Sequence, residues 1–150
     1  MKPTVLLRVA SILTFIHAVL HTIGGVFGKP APGVASQVAA AMAANRFPVL
    51  GEVRSYADFY RGLGLGCTIS LTVEAIVFWL LSNVARCDPE RLRPVLLAFT
   101  AGYLAMAVNS HIYFFMAPVV VEIIIAGCLL GAAFTARRPA GVTAGQPLAS

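Results

Sequence analysis

The chain has 150 residues, of which 59% are hydrophobic and 11% charged, and its mean hydropathy is +0.84. Because a soluble domain carries about 25% charged residues, this composition excludes an ordinary soluble protein and favours a membrane as the solvent. The net charge of +5 comes from dispersed cations, and no basic run carries interleaved aromatic residues, which excludes a nucleic-acid-binding surface.

The first apolar run, residues 4–27, exceeds the roughly 20 helical residues needed to cross a bilayer. It has no small-residue cleavage site, so we expect a retained span and not a cleaved signal. His17 and His21 lie inside it. On an α-helix they share one face with Gly24 and Gly28, and glycines at this spacing mark close helix contact. The histidines are therefore expected to point toward other helices and away from lipid.

The connection that follows, residues 28–55, is long and is interrupted by "GKPAPG" and "RFPVLG". Its middle part, "SQVAAAMAANRF", has the composition of a short helix with Val38 and Met42 on one side. Because that side is apolar, we expect this helix to lie on the membrane surface.

The segment "RSYADFYRGLGLG" opens the second apolar run, residues 62–82. Ser55 followed by Asp58 fits a capping box, in which each side chain bonds the free backbone N–H of the other residue. Asp58 also suits the positive end of the helix dipole. Small residues then recur every four positions and predict a face for close helix packing. They are Gly62, Gly66 and Ser70.

The third and fourth apolar runs are residues 92–109 and 112–134. Pro118 either kinks the fourth helix or opens it, and in the second case residues 110–117 form an interfacial turn. Asn109 is expected to face the bundle, because it continues a helical stripe of small residues. That stripe comprises Ala98, Gly102 and Ala105.

These runs predict an all-α fold, a four-transmembrane-helix bundle over residues 1–136 with a long external first loop. Residues 137–150, rich in Pro, Gly and Ser, are predicted to be a disordered cytoplasmic tail. Short cytoplasmic loops carry an excess of Lys and Arg, and this predicts that both termini are cytoplasmic. Seven cations then lie inside and four outside. The inside set is Lys2, Arg8, Arg86, Arg91, Arg93, Arg137 and Arg138, and the outside set is Lys29, Arg46, Arg54 and Arg61.

Three segments carry a family resemblance: "LHTIGG" near the start, "RSYADFYRGLGLG" before the second span, and "AVNSHIYFF" between the third and fourth. Together they resemble a family of small, uncharacterised bacterial integral membrane proteins with four helices and an Asp-Phe-Tyr-Arg-Gly motif before the second span. The resemblance covers residues 1–136. It implies four spans and a bacterial cytoplasmic membrane, and it brings no established activity and no catalytic residue.

Polar side chains within the spans are the candidate site, since an ionisable residue costs about 2.5–3.5 kcal/mol at the centre of a span and usually pairs or serves a function. The pocket candidates are His17, His21, Arg61, Asn109 and Glu122. The secondary candidates are Asp58, Glu74 and His111. Counted along the helices, the pocket candidates fall in the outer half of the bundle, and Glu74 lies deeper. We expect His17, His21 and Glu122 to form one polar site.

Three interpretations of this cluster remain open. The polar residues either hold the helices together, bind the head of a lipid, quinone or other small amphiphile, or bind a metal ion or haem. His17 and His21 are spaced as a metal pair, but the glutamate of an HExxH motif is missing, and two histidines on one turn cannot be opposite axial ligands of one haem.

Among these we favour a multi-pass membrane protein with a polar pocket for a small amphiphile. The alternatives are a structural or accessory subunit without its own ligand, a small membrane enzyme using His and Glu, and a metal- or haem-binding protein. The expected partners are the lipid bilayer and the amphiphile, with a second copy or another membrane protein as a further alternative. No resident cofactor is predicted, and whether the chain is an enzyme stays open.

Overall fold

The computed structural model describes residues 2–136, and the tail predicted to be disordered, residues 137–150, lies outside that part of the chain. The elements in chain order are α1 (Pro3–Leu20), a π-helical turn (His21–Val26), α2 (Val34–Ala44), β1 (Arg46–Val49), β2 (Glu52–Ser55), α3 (Tyr56–Val84), α4 (Pro89–Tyr113) and α5 (Met116–Thr135). Within the described residues, four helices are long and apolar enough to cross a membrane: α1 with its π-helical turn, α3, α4 and α5. The prediction of a mainly helical chain with four candidate spans is confirmed.

The described residues divide into two compact units. The first comprises residues 9–79 and holds most of α1, the π-helical turn, α2, the two strands and most of α3. The second comprises residues 2–8 and 80–136, with α4 and α5.

In the first unit, α1 and α3 run antiparallel. Ser11 Oγ in the first half of α1 donates to the Ala75 carbonyl oxygen in the second half of α3, at 2.7 Å. At the other end, the His21 imidazole reaches the Gly64 carbonyl near the start of α3. Each bond joins a side chain of α1 or of the π-helical turn that continues it to a backbone carbonyl of α3, and such bonds hold two apolar helices in one register.

Residues 46–55 form a β-hairpin, which the all-α prediction missed. Its two-residue turn is Leu50–Gly51, and both residues have positive φ, as a type I′ turn requires. Pro48 pairs with Val53 in the middle of β1, a position open to proline because both strands are edge strands. The sequence signal was weak since Leu, and not Asn, precedes the turn glycine.

The hairpin leads into α3 without a linker, and the predicted capping box joins them. Ser55 N–H donates to Asp58 Oδ2 at 2.9 Å, and Asp58 N–H donates to Ser55 Oγ at 3.2 Å. Phe47 of β1 packs on the first turn of α3, with its ring 4.8 Å from Tyr56 and stacked 5.9 Å from Phe59. The hairpin is therefore fixed to the end of a candidate span.

In the second unit, α4 and α5 form a helical hairpin joined by Phe114 and Phe115 alone. The predicted turn at 110–117 is wrong, because α4 continues to Tyr113 and α5 begins at Met116. Pro118 lies in the first turn of α5, where a backbone N–H has no partner within the helix in any case. One face of α4 is buried, and the residues on it recur every three or four positions. They are Leu92, Leu96 and Tyr103, with Thr100, Ala107 and Ser110 between and after them.

Candidate functional site

His17 and His21 lie on the inward face of α1, one turn apart, and both are half-buried. The same face carries Ala10, Thr14 and Ala18, whose exposed fractions are 2% or less. The orientation of the histidines relative to lipid stays a prediction. The two imidazoles differ in their partners, and this separates their roles.

The imidazole of His21 is engaged. Its Nε2 lies 3.1 Å from the Gly64 carbonyl oxygen of α3. Since a carbonyl can only accept, Nε2 must carry the hydrogen and donate it. His17 differs, because its Nδ1 is buried and has no hydrogen-bond partner among residues 2–136. His21 is a structural link, and His17 offers an unused polar atom.

A π-helical turn begins at His21, and it changes which glycines share the histidine face. The prediction that Gly24 lies in a close helix contact is wrong: a Cβ placed on Gly24 meets no heavy atom of the described residues within 4 Å. A π-turn inserts one extra residue, so counting at the α-helical period fails beyond its start. Gly25 lies against the imidazole instead, with its added Cβ 3.3 Å from His21 Nδ1.

The glycines at the start of α3 require a second correction. A Cβ on Gly62 or Gly66 meets open space among the described residues, so their predicted close-packing face is wrong within this chain. Gly64 is the glycine in contact: its added Cβ would lie 3.0 Å from Val26 Cγ2. Gly64 points toward α1 because its carbonyl also accepts from His21, and residues two positions away on a helix point elsewhere.

Threonine hydroxyls continue this contact along α1 and α3. Thr22 Oγ1 donates to the Ala18 carbonyl at 2.6 Å and lies 2.9 Å from Thr68 Oγ1, which is itself 3.2 Å from the Gly64 carbonyl. Each hydroxyl has one hydrogen. The two hydrogens can satisfy only two of these three contacts at a time, so the pair has no hydrogen left to donate and its oxygens keep lone pairs that can accept.

A groove with a cavity volume of about 180 Å³ runs beside these hydroxyls. Its lining is mostly apolar, with three threonines. The lining residues are Phe15, Ala18, Val19, Thr22, Ile23, Thr68 and Thr72. Thr72 Oγ1 donates to the Thr68 carbonyl at 2.8 Å, so it too presents an acceptor to the groove. The volume suits an alkyl chain or part of a ring and is below the range of drug-sized pockets.

In the second unit, Glu122 is 2% exposed and accepts a hydrogen bond from Ser110 Oγ at 3.0 Å through Oε1. Its other oxygen, Oε2, has no partner among the described residues. Sequence reasoning missed Ser110. The signal was present, because Ser110 follows Leu96, Tyr103 and Ala107 at the spacing of one helix face.

Asn109 does not pack within the unit of α4 and α5, and its orientation toward a bundle of all four helices stays a prediction. It is exposed, as are Ala98, Gly102 and Ala105 of the same stripe. One position on a helix is about 100° of rotation, so burial of the Ser110 face turns Asn109 away from it. His111, in the last turn of α4, is exposed as well.

The remaining candidates take separate places. Arg61 is exposed, Asp58 serves the capping box, and Glu74 is half-buried in α3. His17 and His21 belong to one unit and Glu122 to the other, so their approach to a single site stays a prediction. Within residues 2–136, no three His, Cys, Asp or Glu side chains are grouped as metal ligands.

In comparisons with known proteins, no family model, no curated protein and no solved structure matches this chain.

Proposed function

We propose that this chain is a small multi-pass membrane protein that binds a small amphiphile, such as a lipid or quinone, through the polar residues between its helices. Its four apolar helices would form one bundle in a bacterial cytoplasmic membrane with both termini in the cytoplasm. The bacterial assignment rests on the resemblance of the "HTIGG" and "DFYRG" segments, and the orientation rests on the distribution of cations.

One observation carries the proposal: an apolar groove runs beside threonine hydroxyls whose oxygens retain acceptor capacity. Polar atoms within a span cost free energy unless they are matched, so spare acceptors beside an apolar groove point to a missing donor. A ligand with an apolar tail and a hydrogen-bonding head would match both the groove and the polar atoms.

The directions of the threonine hydroxyl hydrogens favour a ligand whose head group donates hydrogen bonds. Thr22, Thr68 and Thr72 direct their hydrogens to the backbone or to each other, so the groove accepts hydrogen bonds. A head that donates, such as the hydroxyl of a glycerolipid or of a reduced quinone, fits this surface better than one that only accepts.

The test is the ligand that the protein retains through purification in mild detergent. Lipids and quinones extracted from wild type would be quantified by mass spectrometry and compared with those from Thr68→Val and Thr72→Val. Thr135→Val is the matched control, because Thr135 also donates to a carbonyl within its own helix and is exposed. We expect one amphiphile to be enriched in wild type and in the control and depleted in both site variants. Equal retention in all four proteins contradicts the proposal.

A second candidate function, a structural or accessory subunit, also has a specific observation in its favour. His21 is bonded to Gly64 and Glu122 to Ser110, and both bonds join helices. If all polar residues serve this purpose, Thr68→Val lowers stability and leaves no ligand difference. The same extraction experiment therefore separates the two functions.

A further inference from the structure

We propose that the β-hairpin, residues 46–55, is a membrane anchor that inserts Leu50 into the interface of the bilayer beside the start of α3. Leu50 is the non-glycine residue with positive φ in the described chain, at 47°, and its side chain is fully exposed. Asn or Gly would adopt this turn without strain. A leucine here is strained and gains no burial in the folded chain, so the residue is explained by an apolar partner outside it.

The bilayer is that partner because the hairpin is attached to the end of a candidate span. The capping box joins Ser55 to Asp58, and Phe47 stacks on Phe59. The strands are four residues long, so the turn lies within about 13 Å of α3 at 3.3 Å per residue. The headgroup region is about 5–8 Å wide on each side of the hydrocarbon core, so the turn lies inside it when the hairpin runs along the membrane surface.

The surroundings of the turn are those of a membrane interface. Tyr56, Phe59 and Tyr60 are exposed at the start of α3, where aromatic belts lie. The acidic groups of the segment are engaged, Glu52 with Arg54 and Asp58 with Ser55. Arg46 and Arg61 are exposed cations that match anionic headgroups. Val53 is 52% exposed and lies on the same hairpin, which extends the apolar surface from the turn.

The experiment places a tryptophan at the turn. In a Trp79→Phe background, the Leu50→Trp variant would be reconstituted in vesicles of phosphatidylcholine and phosphatidylglycerol with or without brominated acyl chains. Cys87→Trp in the same background is the control, since Cys87 is exposed in the polar turn between α3 and α4. We expect the tryptophan emission of the Leu50→Trp variant to be shifted to the blue and to lose most of its intensity in brominated vesicles, while the control keeps its intensity.

Two results of this experiment overturn the proposal. Emission from the Leu50→Trp variant that is water-like and unquenched places the turn in solvent. Emission that is shifted to the blue but is not quenched by brominated lipid places the introduced side chain against protein and not against lipid.

A second variant keeps the proposal testable if tryptophan disturbs the turn. Leu50→Asn relieves the backbone strain and removes the apolar side chain, so its thermal unfolding temperature in detergent should rise. A fall in that temperature would show that the folded chain itself holds Leu50, and it would overturn the argument that the leucine needs a partner outside the chain.

Discussion

Ser110 Oγ donates to Glu122 Oε1 at 3.0 Å, and this bond joins α4 to α5 close to the turn between them. Glu122 is 2% exposed, so its carboxyl depends on protein donors. The residue that stabilises the buried acid is thus a neighbour in the same helical hairpin.

Loss of the Ser110 hydroxyl should destabilise the folded chain. We expect Ser110→Ala to lower the free energy of unfolding by about 1–2 kcal/mol, because it leaves both carboxyl oxygens without a donor among the described residues. Ser70→Ala, at an exposed position of α3, is the control and should change stability little. Thermal unfolding in detergent measures both. Equal effects of the two substitutions would show that Ser110 contributes nothing specific.

Alanine substitutions at Gly24 and at Gly28, both after the start of the π-helical turn, should change the stability of the chain by very different amounts. A Cβ on Gly28 would overlap the backbone carbonyl of Gly24, which cannot move aside as a side chain can. We expect Gly28→Ala to destabilise the chain by about 1–3 kcal/mol. Gly24→Ala meets open space among the described residues and should be neutral or stabilising by up to about 1 kcal/mol. The reverse order of unfolding temperatures would contradict the geometry of this turn.

Replacing each histidine in turn by phenylalanine should show that the His21 imidazole stabilises the fold and that the His17 imidazole does not. His21→Phe removes the donor to Gly64 and should lower the free energy of unfolding by about 0.5–1.5 kcal/mol. His17→Phe removes an Nδ1 without a partner among residues 2–136 and should be neutral or stabilising. Unfolding in detergent after ligand removal provides the comparison. A larger loss for His17 than for His21 would contradict the assignment.

Membrane orientation has a native reporter in Cys87, which is exposed between α3 and α4. With both termini in the cytoplasm, an impermeant maleimide should leave Cys87 unmodified in intact cells and modify it after lysis. Lys29→Cys in a Cys87→Ser background should be modified in intact cells. Modification of Cys87 alone before lysis would reverse the orientation.

The amino-acid sequence by itself predicted four helices that are long and apolar enough to cross a membrane, and it predicted one helix start. Long apolar runs specify helices because every backbone group in a bilayer must be satisfied within its own segment. The Ser55–Asp58 capping box was readable for a similar reason, since both partners are three residues apart. The short helix in the first loop followed from local composition as well, and α2 spans Val34–Ala44.

Tertiary structure alone decided which polar and small residues meet. The four-residue spacing favoured Gly62, but of these two glycines it is Gly64 that lies against Val26, because the rotation of α3 is set by its contacts with α1 and the π-helical turn. Asn109 and Ser110 are neighbours in sequence, and the packing of α4 on α5 buries Ser110 alone. Helix rotation depends on side chains far away in sequence, and a π-helical turn shifts it further by one residue. Local patterns therefore predict helices well and their contacting faces poorly.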